Sequence, residues 1–368
     1  MTLKIRKLYI DREVADFPET IDICERINAP VEYTDEPNRI YRFISSQDDP
    51  ESAGKRALLL TRNKGNFLKT CPGTTHYTCC GYHILHVGSY CTMDCSYCIL
   101  QVYFHPPLLT FFVNLRDMKK ELLPYFSSGN IYRIGTGEFT DSLMWETIYP
   151  VASALVGMFA GRERAVLELK TKTTSVSSLL GLNHQGNTIM AWSLNTTRVI
   201  REQERGTATL DERIRAAAIC QSHGYPLAFH FDPMIWYPGC EADYGDVVET
   251  LFSKIDPAGI AWISLGSFRF MPQLGEIIER RFPRSRIIHG EFIKGMDGKM
   301  RYFKPLRIGL YKAIVSRIKR FAPDVTVYFC MEDDDTWGRV LGYTPSEYGG
   351  LPAILDRCAI RHCGLNAA

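Results

Sequence analysis

The alternation of apolar and polar positions along this chain changes near Gly81. From there, short apolar runs rich in β-branched, leucine or aromatic residues recur at 83–89, 131–135, 165–170, 188–194, 227–233 and 260–268. Longer stretches separate them, at 115–126, 143–159, 210–223, 244–253 and 274–282, several with apolar residues at i, i+3 and i+4. The short runs read as buried strands and the longer stretches as helices packed by one face. Strands that alternate with helices build parallel βαβ units. Six units predict an α/β fold, a partial (β/α)6 barrel of the TIM type rather than a full eight-unit one. In such barrels the chemistry collects in the loops at the C-terminal strand ends.

The flanks read differently. Residues 1–80 predict an irregular N-terminal region, with a strand at 3–11, a helix at 18–27 and a polar, turn-rich stretch at 35–55. The barrel takes 81–285. Residues 286–368 predict a β-hairpin at 291–302, turned by Asp297-Gly298. A helix at 306–321, a strand at 325–329, an exposed acidic segment at 331–337 and a tail of little pattern follow.

Composition adds limits. With 368 residues, 45% of them hydrophobic, the chain can bury a large core. Lys+Arg 43 against Asp+Glu 41 is close to neutral, so overall charge draws it to no polyanion. Locally, 279–320 carries thirteen Lys/Arg against three Asp/Glu. Such a stretch either lines a phosphate path or forms a solvated helix face. No apolar run is long enough to span a bilayer, and the N-terminus lacks a signal-type apolar core, so a soluble cytoplasmic protein is expected, with no membrane partner. In that setting the twelve cysteines read as metal ligands or free thiols rather than disulfides.

Three of them stand together after the first predicted strand, in Tyr90-Cys91-Thr92-Met93-Asp94-Cys95-Ser96-Tyr97-Cys98-Ile99-Leu100-Gln101. The spacing is C-x3-C-x2-C. Three thiolates on one short loop can hold three irons of a cubane and leave the fourth open. The competing reading is a zinc site completed by Cys79, Cys80, His86 or His105.

Other strand ends carry polar groups. Gly135-Thr136-Gly137-Glu138-Phe139-Thr140-Asp141 closes the second run, its glycines leaving room for close approach. Thr140 or Asp141 could instead cap the next helix. Lys172 follows the third run, Ser193 and Asn195 end the fourth, and each is either a ligand contact or ordinary turn and surface chemistry. His230, Asp232, Trp236, Tyr237 and Cys240 crowd the loop after the fifth.

The cysteine spacing resembles the radical S-adenosylmethionine (SAM) superfamily, and the order of the pieces resembles the spore photoproduct lyase family within it. The likeness runs from Leu8-Tyr9-Ile10-Asp11 through Cys91–Gln101, Phe112-Val113-Asn114-Leu115, Thr140-Asp141, Thr171-Lys172, Trp192-Ser193-Leu194-Asn195, Gly224-Tyr225-Pro226-Leu227 and Phe268-Arg269-Phe270 to the basic hairpin beyond Glu291. The resemblance implies a [4Fe–4S] cluster on Cys91, Cys95 and Cys98, with SAM on the open iron. It implies reductive cleavage to a 5′-deoxyadenosyl radical, SAM contacts from Thr140, Asp141, Lys172, Ser193 and Asn195, and a role for Tyr97; Glu138, by its own chemistry, could accept from the SAM ammonium group. The implied substrate is a methylene-bridged thymine dimer in DNA, reached through 279–320, and the implied electron donor is a flavodoxin or ferredoxin. Two positions depart from the family: Glu138 stands where it keeps a hydrogen-donor cysteine, and Ile99 where it keeps a tyrosine. Cys240 is the candidate replacement donor. A non-DNA substrate on the same fold and a non-catalytic Zn or Fe–S protein are the alternatives.

Overall fold

The computed structural model describes residues 5–74 and 76–366. A curled sheet of eight strands forms the centre. Seven are parallel: β1 His83–Leu85, β2 Tyr132–Gly135, β3 Ala165–Thr171, β4 Thr188–Ser193, β5 Leu227–Met234, β6 Ile260–Ser267 and β7 Val327–Phe329. Leu68–Thr70 closes the β1 edge antiparallel. The six predicted strands are all present, and the sequence reading stopped one short: the strand expected at 325–329 extends the barrel sheet. The strands are buried on both faces because helices cover the outside and side chains fill the inside. No described helix is long and apolar enough to cross a membrane.

The helix Leu115–Phe126 has its predicted bounds. The helix expected at 143–159 spans only Val151–Phe159. Pro150 disfavours helical backbone in the residue before it, so Leu143–Tyr149 stays in turns. Leu210–Ser222 starts at a capping box of Thr209 and Glu212.

Residues 1–80 are more ordered than predicted. The strand expected at 3–11 is seen as Lys7–Asp11, its first two positions lying outside the described residues. It pairs in parallel with Val31–Thr34 and Ala57–Thr61, and the sheet continues through Leu109–Phe112 to the antiparallel Gly88–Ser89. The stretch at 35–55 holds two helices, Pro37–Ser45 and Pro50–Gly54. This second sheet shares Gly88–Ser89 with the approach to the cysteine loop, so it braces that loop.

The hairpin Phe292–Lys294/Met300–Tyr302 adds Arg269–Phe270 as a third strand. Phe268, Phe270, Phe292 and Tyr302 pack together beneath it, with ring centroids 4.7 to 6.4 Å apart. The 331–337 segment is exposed only in part: Asp334 and Asp335 face solvent as expected, but Glu332 and Trp337, towards its two ends, are buried. Glu332 is buried against Arg307 (2.9 and 3.0 Å) and the Tyr311 hydroxyl (2.9 Å), and Trp337 is fully buried. A helix, Leu351–Cys363, occupies the tail.

Candidate active site

The cysteine loop leaves the second sheet through Tyr90, a bulky residue at φ +73°. That conformation costs of order 1–3 kcal/mol and persists only where surroundings fix it. Here the ring is fully buried, its hydroxyl donates to the Glu51 carbonyl (3.3 Å), and its N–H donates to Phe139 (2.8 Å). Lys55 reaches in from the N-terminal region. Its buried ammonium donates to the carbonyls of Cys91 (2.9 Å) and Met93 and lies 4.5 Å from the Tyr90 ring centre. Arg281, also buried, donates to Asp94 (3.0 Å), Asp49 (3.0 Å), Ser52 (3.0 Å) and Gln101. On the far side Asp94-Cys95 pairs antiparallel with Glu204-Arg205, and the Ser96 hydroxyl donates to Gln203 (2.6 Å).

Held this way, Cys91, Cys95 and Cys98 face one cavity of about 290 Å³ at the C-terminal strand ends. Burial pushes the Cys91 thiol up to about 12, and Cys95 is raised by the same cause. Buried thiols of this kind lose their protons readily only to a metal. Three soft donors on one loop, facing one cavity, fit a cubane with one iron left for a non-protein ligand.

Ion pairs from the strand ends line the opposite wall. Glu138, after β2, accepts from Lys170 on β3. Burial alone would lower the Lys170 pKa, but the Glu138 charge raises it. Glu168, two residues earlier on β3, accepts from His230 Nε2 on β5 (2.7 Å), whose Nδ1 meets Ser264 (2.7 Å). Asp232, two residues beyond His230, pairs with Arg269 (3.2 Å). Lys299 from the hairpin, Met331 after β7 and Cys71 complete the wall.

The profile of the family described as "Spore photoproduct lyase" matches residues 6–322. The chain belongs to the spore photoproduct lyase family. With that membership it is a radical SAM enzyme of the lyase type, with a [4Fe–4S] cluster and SAM as cofactors. Spore photoproduct lyase of Clostridium acetobutylicum is 24% identical over 88% of this chain and 96% of its own length. That of Bacillus subtilis strain 168 is 26% identical over 65% of this chain and 73% of its own. Among solved structures, a spore photoproduct lyase variant with bound AdoMet and dinucleoside spore photoproduct superposes with a TM-score of 0.80 at 22% identity, covering 88% of this chain and 98% of that one. A second, complexed with the dinucleoside spore photoproduct, gives 0.79 at 20%, covering 89% and 100%.

Measured against the family's pattern, the expected site residues divide. Glu138, Thr140, Asp141, Lys172, Ser193 and Tyr97 line the cavity with the three cysteines. Lys172 sits 5.5 Å from the Tyr97 ring centre, and no described carboxylate lies within salt-bridge distance of it. Asp141 is spent inside the protein. It accepts from the Thr171 hydroxyl (2.9 and 3.0 Å) and from the N–H groups of Lys172 (2.8 Å) and Leu143 (3.0 Å), so it shapes the site rather than binding in it. Tyr97 presents its ring, while its hydroxyl turns away to Glu204, itself paired with the buried Arg213. Asn195 does not reach the cavity. Its amide donates to the Pro233 carbonyl (2.9 Å) and its oxygen accepts from Tyr244 (2.6 Å), which ties β4 to β5.

Cys240 is a correction. It opens the helix Cys240–Phe252, is fully buried with its thiol toward Glu241 (3.6 Å), and lies off the cavity. The glycines serve another purpose than expected. A Cβ at Gly135 would stand 1.7 Å from the Tyr82 hydroxyl, and one at Gly137 2.8 Å from the Lys170 Cβ, so they admit protein side chains. The ion-pair wall was missed as a set. Its signal was the i, i+2 spacing of Glu168/Lys170 and His230/Asp232, which puts charged groups on one face of apolar strands.

Proposed function

We propose that this chain acts on a thymine-derived lesion in DNA, a methylene-bridged thymine dimer, by radical fragmentation. Cys91, Cys95 and Cys98 would hold the cluster, and Lys172, Ser193 and Thr140 would border the SAM. When bound and reduced, that pair of cofactors supplies a 5′-deoxyadenosyl radical able to take a hydrogen atom from an unactivated carbon. The chain's own residues position and shield: Lys55 and Arg281 fix the cysteine loop, and the hairpin brings Lys299 to the cavity wall.

The observation that carries the DNA reading is a second cavity, of about 500 Å³, beside the β4 and β5 ends. Arg198, Arg201, Arg205, Arg284 and Arg286 line it with Trp236, Tyr237 and Phe282; Glu202, also in the lining, pairs with Arg198 (3.3 Å) and Arg201 (3.5 Å), which leaves the groove a net excess of guanidinium groups. Guanidinium groups suit phosphates, and aromatic faces suit unstacked bases. The basic stretch 279–320 contributes less than its composition implied. Arg280, Arg281, Lys299, Arg301, Lys304, Arg307 and Arg317 are paired with carboxylates of the protein. Arg284 and Arg286 are the part of it that reaches the groove. The partners of this reading are lesion DNA and a low-potential donor such as flavodoxin or ferredoxin, in the cytoplasm.

The test is binding to duplex DNA across a salt series. Phosphate contacts predict that log affinity falls linearly with log salt, by about 0.9 per neutralised phosphate. Flat or absent binding would remove DNA as the substrate class. The Glu138–Lys170 pair favours the second reading, a non-DNA substrate. It puts two opposite charges where the family keeps a thiol, which suits a polar or charged substrate group.

A further inference from the structure

Fragmentation of a methylene-bridged dimer leaves an unpaired electron on a product carbon, and the reaction closes only when that carbon receives a hydrogen atom. Glu138 stands where the family keeps its donor thiol, and as the carboxylate that accepts from Lys170 it has no hydrogen to give. The atom has to come from another weak bond to hydrogen on the cavity wall. Among the described residues four of the twelve cysteines line the cavity: Cys91, Cys95 and Cys98, which the cluster would occupy, and Cys71. Cys71 is a free thiol and half-buried. We propose that Cys71 is the hydrogen-atom donor to the product radical, a catalytic residue that replaces the thiol missing at Glu138. The inference rests on the thymine-dimer reading above.

The fold holds Cys71 at the seam of the barrel. It follows the edge strand Leu68–Thr70, which runs antiparallel to β1, and its N–H donates to the Tyr82 carbonyl (2.9 Å). Pro72 comes next, and a residue before proline is held to extended backbone. Further along the same loop, Thr78 is pinned to the chain beyond β7, the other edge of the sheet. Its N–H donates to the Glu332 carbonyl (3.0 Å), and its own carbonyl accepts from the Met331 N–H (3.0 Å). Pro72 and Met331 line the cavity with Cys71, so this part of the wall is fixed from both sheet edges. The phenols of the cavity suit the task less well. The Tyr97 hydroxyl is turned away to Glu204, and Tyr103 is exposed, where water reaches a radical.

In the proposed step the S–H bond of Cys71 breaks and a C–H bond forms at the carbon that was the bridging methylene, which becomes a thymine methyl. The unpaired electron passes from carbon to sulfur. One electron from the low-potential donor that reduces the cluster, with one proton from solvent, restores the thiol. A thiol away from iron stays largely protonated at neutral pH, which keeps the hydrogen in place.

Deuterium oxide tests this, because thiol hydrogens exchange with solvent and C–H hydrogens do not. The reduced, oxygen-free full-length chain is first given SAM in deuterium oxide without substrate. The radical then takes its hydrogen from a donor on the cavity wall, and the expected product is 5′-deoxyadenosine carrying one deuterium. Cys71→Ala should lower the deuterated fraction at least about fivefold. With an oligonucleotide bearing the dimer, the new thymine methyl should carry one deuterium. Cys71→Ala should lower repaired thymine per 5′-deoxyadenosine at least about tenfold. Both readouts are ratios to 5′-deoxyadenosine, so a loss of iron or of SAM cleavage does not mimic the effect. Should the alanine variant not fold, Cys71→Ser keeps the shape, but its O–H bond is too strong to give up hydrogen, and the same losses are expected. Deuterated 5′-deoxyadenosine that depends on Cys71, beside an intact dimer, would uphold Cys71 as the donor of this cavity and remove the dimer as substrate. Ratios unchanged in both variants, deuterium lost only in Tyr103→Phe, or repaired thymine without deuterium would each overturn the proposal.

Discussion

The two walls of the main cavity are made of different materials. The cysteine loop carries three soft thiols and is held from outside the barrel, by Lys55, Arg281 and the Glu204-Arg205 bridge. The facing wall consists of ion pairs that the strand ends make with one another, Glu138–Lys170, Glu168–His230 and Asp232–Arg269. Long side chains anchored on other elements let the loop be rigid without placing charge among the thiols. On the opposite wall the paired groups Glu138, Lys170, His230, Asp232 and Arg269 line the cavity, with Glu168 buried behind them. The difference separates two tasks. One wall makes the radical, and the other sets what the radical meets.

Removing a loop thiol should give the largest break in this division. Cys95→Ala is expected to lose the cluster and all detectable 5′-deoxyadenosine while keeping the fold, checked by iron content, product analysis and circular dichroism. If SAM cleavage survives, the thiols are not the radical-making wall. Next in size is the anchor. Lys55→Met leaves two buried carbonyls of the loop without their donor and should lower stability by about 2–3 kcal/mol, with a matching loss of iron. Thermal melts beside iron assays check it, and unchanged iron would show that the loop holds itself.

On the other wall, Lys170→Met should leave SAM cleavage without substrate within about twofold of wild type, because the pair faces the substrate side. Substrate turnover should fall by at least about tenfold. Parallel losses would merge the two walls into one. A smaller effect concerns pH. Burial raises the Glu168 pKa, but the His230 charge and hydrogen bond outweigh it and leave it lowered. A carboxylate with a lowered folded-state pKa stabilises above its unfolded value of about 4.3, and that contribution fades as pH falls through the folded value. Melting temperature should therefore drop below about pH 4, and Glu168→Gln should flatten that limb. The mildest change is expected at the basic groove. Arg198→Ala with Arg286→Ala should leave SAM cleavage intact and reduce the salt slope of DNA binding by about 2.

The two walls also differ in how far the sequence reveals them. Cys91, Cys95 and Cys98 lie within eight positions, so a linear motif carries the whole donor set. The ion pairs join residues 32, 62 and 37 positions apart, and only the fold brings them together. The same reason explains the basic stretch. Arg281, Arg307 and Arg317 find their carboxylates at Asp94, Glu332 and Glu249, far away in the chain, so a local charge count overstates what faces solvent. The barrel was legible because each strand is a compact apolar run. The N-terminal sheet was legible only at Lys7–Asp11; Val31–Thr34, for one, exposes two of its four residues and shows no apolar run. Cys240 does not line the cavity, because position after a strand does not give direction: it opens a helix with its thiol toward Glu241.

The central claim is that the thiol wall generates a radical for use on a DNA lesion. It is tested most directly by incubating the reduced, oxygen-free protein with SAM and an oligonucleotide bearing a methylene-bridged thymine dimer, then quantifying 5′-deoxyadenosine and repaired thymine together. The account predicts both products, and neither when Cys98 is replaced by Ala. A protein carrying its full complement of iron that leaves both SAM and the dimer intact would contradict it.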